Sequence, residues 1–175
     1  ENWCMIGYHS VSVLADAVAK GLPLDKEEVL KAMVSSSTIP YLDGTGEYME
    51  KGYVALDHNG SAASLTLEYA YDDWTIYHTA LLAGNRSVAD TYKKRAANYT
   101  NVFDTNMGYA RPRYADGRWK ENFNLLNTHG EGFIEGNALN YSFYVPQDVD
   151  NMIRLMGGDK SFVSKLDSLF TMHLP

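Results

Sequence analysis

Ser64-Leu65-Thr66-Leu67-Glu68-Tyr69-Ala70-Tyr71-Asp72-Asp73-Trp74-Thr75-Ile76-Tyr77-His78-Thr79-Ala80-Leu81-Leu82-Ala83-Gly84 is the stretch on which the fold turns. Leu67, Tyr71, Trp74, His78 and Leu81 recur at steps of four and three, so they lie along one stripe of a helix, and Gly84 is placed to end it. Glu68 and Asp72 project from the same face of that helix, and Asp73 follows at once. Two acids on one face repel, so a ligand hydroxyl, a cation or a basic side chain should compensate them. A solvated acidic face is the plainer alternative, made less favourable by Tyr69, Tyr71 and Trp74.

Working outward, helices predominate on both sides. Upstream, Val11, Leu14, Ala15 and Val18 predict a helix over residues 8 to 20, stopped by Gly21 and Pro23. Asp25 with Glu28 reads as a capping box opening a second helix through Leu30, Met33 and Val34. Residues 39 to 60 are rich in glycine and tyrosine and read as a long loop. Downstream, Val88, Tyr92, Ala96 and Tyr99 predict one helix from about residue 87 to Phe103-Asp104. Between Met107 and Asn122 the pattern changes to short extended segments, with Asp116-Gly117 as a tight turn between Tyr114 and Trp119. After Glu135-Gly136-Asn137 a short helix runs to about Tyr144 and Pro146, and another restarts near Asp148 and ends at Gly157-Gly158. A last helix, capped by Asp159, carries Phe162, Leu166, Leu169 and Phe170. The fold class is therefore all-α: helical hairpins separated by long loops, with a small β-hairpin insertion.

Composition bounds the function. At 175 residues and 45% hydrophobic content the chain suits one compact unit. A net charge of -7 with interleaved signs gives no footprint for phosphate backbones, so no nucleic acid is expected as a partner. No run approaches the roughly 20 apolar residues of a membrane span. The single cysteine, Cys4, cannot make an internal disulfide. Four Asn-x-Ser/Thr sequons, at Asn59, Asn85, Asn98 and Asn140, would matter only in a eukaryotic secreted protein. Thirteen tyrosines and three tryptophans supply rings with an apolar face and a polar edge, useful for stacking on sugars as well as for filling a core. The chain opens directly into a helical pattern at Glu1-Asn2-Trp3 and stops at Leu174-Pro175, and it reads as a piece of something longer.

With those residues in place the chain resembles the catalytic domain of the calcium-dependent α-mannosidases of glycoside hydrolase family 92. The resemblance rests on residues 4–10, Ala15-Asp16-Ala17 with Lys20-Gly21, residues 66–74, Arg95 with Asn98-Tyr99, and Phe103-Asp104. It continues through Asp116-Gly117 with Trp119, Glu135-Gly136-Asn137-Ala138, Val145-Pro146 with Asp148, Met156-Gly157-Gly158, and Leu166-Asp167 with Leu169-Phe170. Two departures stand out: Leu139-Asn140 where members usually carry Trp-Gln, and Gln147 where they usually carry His.

The resemblance implies an (α/α)6 toroid of which residues 1 to 175 form a single partial domain, the middle segment. It implies inverting exo-hydrolysis of terminal α-mannosides, often α-1,2, in a bacterial protein that is periplasmic, at the cell surface or secreted. Expected partners are mannose-containing glycans and the remainder of the same protein, or another chain, to complete the toroid. A calcium ion is implied by resemblance alone, with Asn137 supplying at most one ligand. The metal ligands are unknown, and no spacing in the chain supports zinc.

Inverting hydrolysis needs one carboxyl to protonate the leaving oxygen and a second to activate water. Glu135 is the candidate acid, with Gly136 allowing close backbone approach to a ligand, and Glu68 is the runner-up. A carboxylate stabilising a helix N-terminus is the structural alternative for Glu135. Glu68, Asp72, Asp73, His9, His129, Glu131 and Asn137 are the candidate substrate-binding residues. The aspartates expected to act as general base lie outside the segment, so the isolated chain is expected to be inactive. A non-catalytic glycan-binding helical domain, or another (α/α)6 inverting glycosidase, is the competing reading.

Overall fold

The computed structural model describes residues 8–173. The opening motif at residues 4–7, with Cys4, and the Leu174-Pro175 end lie outside the described residues.

A 3-10 turn, Tyr8–Ser10, leads into α1, Val11–Ala19, and then come α2, Lys26–Ser36, α3, Thr45–Lys51, and α4, Ala62–Leu82. Next are α5, Arg86–Arg95, a 3-10 segment, Asn98–Val102, and the strands β1, Phe103–Asp104, and β2, Tyr109–Ala110. The chain ends in α6, Ala138–Tyr141, α7, Val149–Leu155, and α8, Asp159–Thr171. The fold is mainly helical, as the sequence pattern requires. β1 and β2 pair antiparallel, and Arg113 bridges Trp119 across the turn expected at Asp116-Gly117.

The glycine stops work as helix terminators. Past α1 the amide of Gly21 donates to Val18 and that of Leu22 to Ala17, and the same 6→1 and 5→2 pair recurs at Gly84-Asn85 and Gly157-Gly158. Each consumes carbonyls that a helix end would otherwise leave unpaired. Asp25 caps α2 through the amides of Glu27 and Glu28.

Three local expectations need correction. The loop expected at residues 39 to 60 contains α3, bounded by Gly44 and Gly52, both left-handed. Within it a Cβ on Gly46 would stand 2.5 Å from the Pro40 carbonyl, so the glycines that look like helix breakers are the caps and the close contact of a helix. The single helix expected from residue 87 breaks after Arg95, and its tail becomes the 3-10 segment before β1. Asp159 makes no side-chain cap on α8; Gly158 takes the cap position and Asp159 is the first helical residue.

α4 organises the molecule. Leu65, Tyr69, Ile76 and Ala80 enter one apolar cluster with Tyr8, Val11, Leu30, Met33, Tyr48 and Tyr92. Leu67 and Ala70 enter a second with Tyr53, Tyr99, Phe133, Val145 and Met152. Burial on two sides explains why α4 is apolar well beyond a single stripe. The stripe read from the sequence is in fact its least covered flank: Leu67 is buried, Tyr71 and Trp74 are half-buried, and His78 and Leu81 are exposed.

Candidate active site

The first amides of α4 are satisfied by a distant loop rather than by a side-chain cap. Ala63 and Ser64 donate to the Gly132 carbonyl at 2.9 and 3.2 Å, and Ile134 donates to the Ser64 hydroxyl at 3.1 Å. Gly132 fits because its φ is +82° and a Cβ there would lie 2.8 Å from Pro112. The loop is thereby fixed to the start of α4, and Glu135 follows three residues on.

Glu135 has φ of 51°, the left-handed region that few non-glycine residues occupy, and its side chain is exposed. The next two residues hold it there. Asn137 caps α6 by accepting from Leu139 and Asn140 at 3.1 and 3.3 Å, while Asn140 accepts from the Asn137 amide at 2.8 Å. Asn137 also donates to the Leu126 carbonyl at 3.2 Å, so its carboxamide is committed to the cap and the loop. A Cβ on Gly136 would stand 2.8 Å from Asn140 and 3.2 Å from Tyr141. The close approach at Gly136 is to its own helix.

Tyr141, on α6, connects this corner to α4. Its hydroxyl is 3.5 Å from Glu68, a long contact, and its pKa is raised by burial, with the charges of Glu68 and Glu135 adding to the shift. Burial also raises the Glu68 pKa, against the opposing influence of His9 and Tyr141. His9 Nδ1 lies 2.8 Å from Asp72 Oδ1 and 3.7 Å from Glu68 Oε2. The Asp72 hydrogen bond raises the His9 pKa, outweighing burial. Asp72 is fully buried with Oδ2 lacking a hydrogen-bond partner, and burial lifts its pKa to about 7 in spite of His9. Tyr71 and Tyr144, edge to face at 5.9 Å, wall the cluster, and His9 sits 6.0 Å from the Tyr71 ring. Asp72 can thus gain or lose a proton near neutral pH, with His9 and Glu68 beside it.

Asp73, adjacent in sequence, enters different surroundings. It accepts from Tyr8, from Tyr48 at 2.7 Å, and pairs with Arg95 at 3.0 Å, all in the core. Burial pushes its pKa up, and Arg95 and the two phenols oppose that push. Glu131, 5% exposed, pairs with Lys120 at 3.0 Å and accepts from Asn127, which pins the loop. His129 is exposed, 3.0 Å from the Thr128 hydroxyl. The structure thus brings His9, Glu68 and Asp72 together, with Tyr141 at a long 3.5 Å from Glu68, leaves Glu135 exposed at its corner, and engages Asp73, Glu131 and Asn137 in holding the scaffold.

Arg95 as the counter-ion of Asp73 was not singled out for a role by sequence reasoning, whereas the aromatic run of Tyr141, Phe143 and Tyr144 after Glu135 reads in the sequence as rings for stacking on a sugar. Arg95 carried a readable signal: it lies three residues after Tyr92 and four before Tyr99, a charge on an apolar face. Among the described residues no group of three or more His, Cys, Asp or Glu is arranged to hold a metal ion. With Asn137 spent on its cap, these residues do not by themselves fit a calcium site.

A family model for the glycosyl hydrolase family 92 catalytic domain matches residues 1–174. The solved family GH92 α-mannosidase BT3965 from Bacteroides thetaiotaomicron is 39% identical, with a TM-score of 0.93 over 100% of this chain and 23% of its own. The family GH92 inverting mannosidase BT2199 from Bacteroides thetaiotaomicron is 34% identical, with a TM-score of 0.89 over 95% of this chain and 24% of its own. An uncharacterized secreted glycosidase from Arthroderma benhamiae is 26% identical over 213 residues, 99% of this chain and 27% of that protein. The chain spans about a quarter of the length of these relatives.

Proposed function

Because the chain belongs to glycosyl hydrolase family 92, as a segment of its catalytic domain, we propose that its parent is an inverting exo-α-mannosidase and that Glu135 is the general acid. The segment is the middle of an (α/α)6 toroid, completed by the rest of the protein, and the general base lies elsewhere in that toroid. The observation that carries this reading is the posture of Glu135: an exposed carboxyl in a left-handed backbone, fixed on both sides by the Gly132 anchor and the Asn137 cap. Strain of this kind persists where surrounding structure over-determines it, which is common at working sites.

In this reading Glu135 passes its proton to the glycosidic oxygen as the bond to the anomeric carbon breaks. Glu68 and His9 receive hydroxyls of the sugar, and Asp72 keeps His9 oriented through Nδ1. Tyr141 and Tyr144 form the polar-edged wall. Calcium, carried by the family resemblance, would be held mainly by groups outside this segment, and the proton transfer from Glu135 does not depend on it. Similarity to a secreted glycosidase supports work on glycans outside the cytoplasm.

Glu135→Gln in the intact parent is the test. Loss of a general acid costs about 10²–10⁴-fold when the leaving group is poor. Turnover of an α-mannobioside should fall by that much, while a dinitrophenyl α-mannoside, whose leaving group needs no proton, should keep most of its rate. Equal losses on both substrates would take Glu135 out of the acid role.

A further inference from the structure

Among the described residues no hydrogen bond aims the Glu135 carboxyl, so its direction is set by its left-handed backbone. Whatever fixes that backbone therefore fixes the acid. On one side the Asn137 cap does so, and on the other the Gly132 carbonyl seated on the start of α4. One residue before Gly132 stands Glu131, a buried charge that the proton transfer does not use.

Glu131 Oε2 lies 3.0 Å from Lys120 Nζ, with the two side chains 6% and 17% exposed. That oxygen is otherwise without a hydrogen-bond donor, and Oε1 accepts from Asn127 at 3.3 Å. Lys120 is itself held firmly. Its amide donates to the Pro112 carbonyl at 3.0 Å, and its carbonyl accepts from Nε and Nη2 of Arg111, which pairs with Asp104 on β1 at 2.9 Å. Between the two partners run residues 121–130, mostly exposed and without helix or strand. This is a surface loop with its ends joined, within the roughly 6–16 residues that compact loops of this kind span. Beyond its base, the loop reaches the Glu135 corner through Leu139, which donates to the Leu125 carbonyl at 3.4 Å, and Asn137, which donates to Leu126 at 3.2 Å. Desolvation offsets most of the attraction within a buried ion pair, whereas either charge left alone is strongly penalised. Such a pair adds little net stability and selects one geometry.

We propose that Lys120 and Glu131 form a clasp that positions Glu135. The pair shuts the base of the 121–130 loop, sets where Gly132 meets α4, and so fixes the direction in which the acid is presented. The positioning role rests on Glu135 being the general acid; the hold of the clasp on this corner does not. Loss of the clasp should slow proton donation before it unfolds the chain.

The test uses Glu131→Gln in the full-length parent, which keeps the side-chain shape and an acceptor for Asn127 while stranding the Lys120 charge. A misplacement of about 1 Å costs roughly 10²-fold, so kcat on an α-mannobioside should fall by about that much. On a dinitrophenyl α-mannoside, which needs no proton, kcat should stay within about twofold, and KM within about twofold on both substrates. Lys120→Met should give the same contrast, since the two residues act as a pair. Added to Glu135→Gln, Glu131→Gln should cost no further kcat, because no proton is left to aim. Equal losses on both substrates, or additive losses in the double variant, would make Glu131 a structural residue, and a KM raised on both would make it a substrate contact; each overturns the proposal. Should Glu131→Gln not fold, Lys120→Met decides, and if neither folds the pair is structural and the proposal is overturned. Amide hydrogen exchange at residues 131–136 separates the clasp from the acid assignment: it should rise in Glu131→Gln while residues 86–95 stay protected. Unchanged exchange would show that the pair holds nothing. If Glu135→Gln itself spares neither substrate, the acid assignment fails together with the positioning role, and the exchange result still shows whether the pair holds the corner.

Discussion

Asp72 is a carboxyl with no exposed surface, one oxygen on His9 and the other unpaired. In an unfolded chain it loses its proton near the ordinary 3.8; here burial holds that proton up to about 7. His9 also has a raised pKa, through Asp72. Both shifts have the same sign: the folded state binds more protons, so stability is greatest on the acid side and falls as pH rises from about 4 to about 7. One proton gives a slope of up to about 1.4 kcal/mol per pH unit. Glu68, whose pKa burial also raises, titrates in the same direction, so the wild type must be compared with Asp72→Asn to isolate one group. Urea midpoints from pH 4.5 to 7.5 should show Asp72→Asn gaining on the wild type by about 1–3 kcal/mol as pH rises, in line with that slope. A difference constant across this range would mean that Asp72 ionises freely and that His9 is not held as described.

At the scale of elements, what could be read in advance follows from how local each cause is. The Asp25 cap and the stops at Gly21, Gly84 and Gly157 depend on neighbours within a few residues, and the sequence pattern locates them. α3 was hidden because glycines at residues 44, 46 and 52 signal turns unless one knows that Val54, Pro40 and Asn101 respectively press against them. Grouping Glu68, Asp72 and Asp73 by spacing was sound for the first two. Asp73 points a further 100° around α4, into the apolar cluster where Tyr8, Tyr48 and Arg95 wait, and that cluster is assembled from four separate segments. The Glu135 corner was legible as a junction, but its left-handed backbone and its anchor on α4 are tertiary. The Asp73–Arg95 pair is the polar fastening of α4 to α5, and Arg95 lies over the Tyr92 ring at 4.8 Å. Burial lowers the Arg95 pKa, but the charge of Asp73, with Tyr8, Tyr48 and Tyr92 adding to it, outweighs burial and raises it. Arg95→Met should therefore destabilise the chain by about 3–5 kcal/mol, the usual consequence of stranding a buried charge. Adding Asp73→Leu to that variant should restore part of the loss in urea unfolding; no recovery would show that the phenols, rather than the ion pair, carry the cost.

For the whole molecule, two apolar clusters share α4, but not every apolar surface finds a partner. α8 has no buried residue, although Phe162, Leu166 and Leu169 give it an apolar face, and Val163 and Phe170 are 53% and 80% exposed. It is tied down by Phe162 against Phe143 at 5.9 Å and by Lys165, which lies 3.9 Å over the Tyr109 ring and donates to the Met107 carbonyl. A second bare strip runs beside Trp74 and His78, with Leu81 and Leu82 at 38% and 49% exposure. Helices of this length owe their stability to packing, so a face left in water is a place where something packs. With only about a quarter of the relatives' length present, we expect the rest of the parent protein to cover both strips. The 175-residue chain on its own should then self-associate through them. Light scattering after size exclusion should give a mass that rises with concentration above the monomer value, and Val163→Lys with Phe170→Glu should shift it toward monomer without changing the helical circular dichroism. A strict monomer at roughly 200 μM, well above common association constants of micromolar strength, would show that these faces are stable in water and need no neighbour.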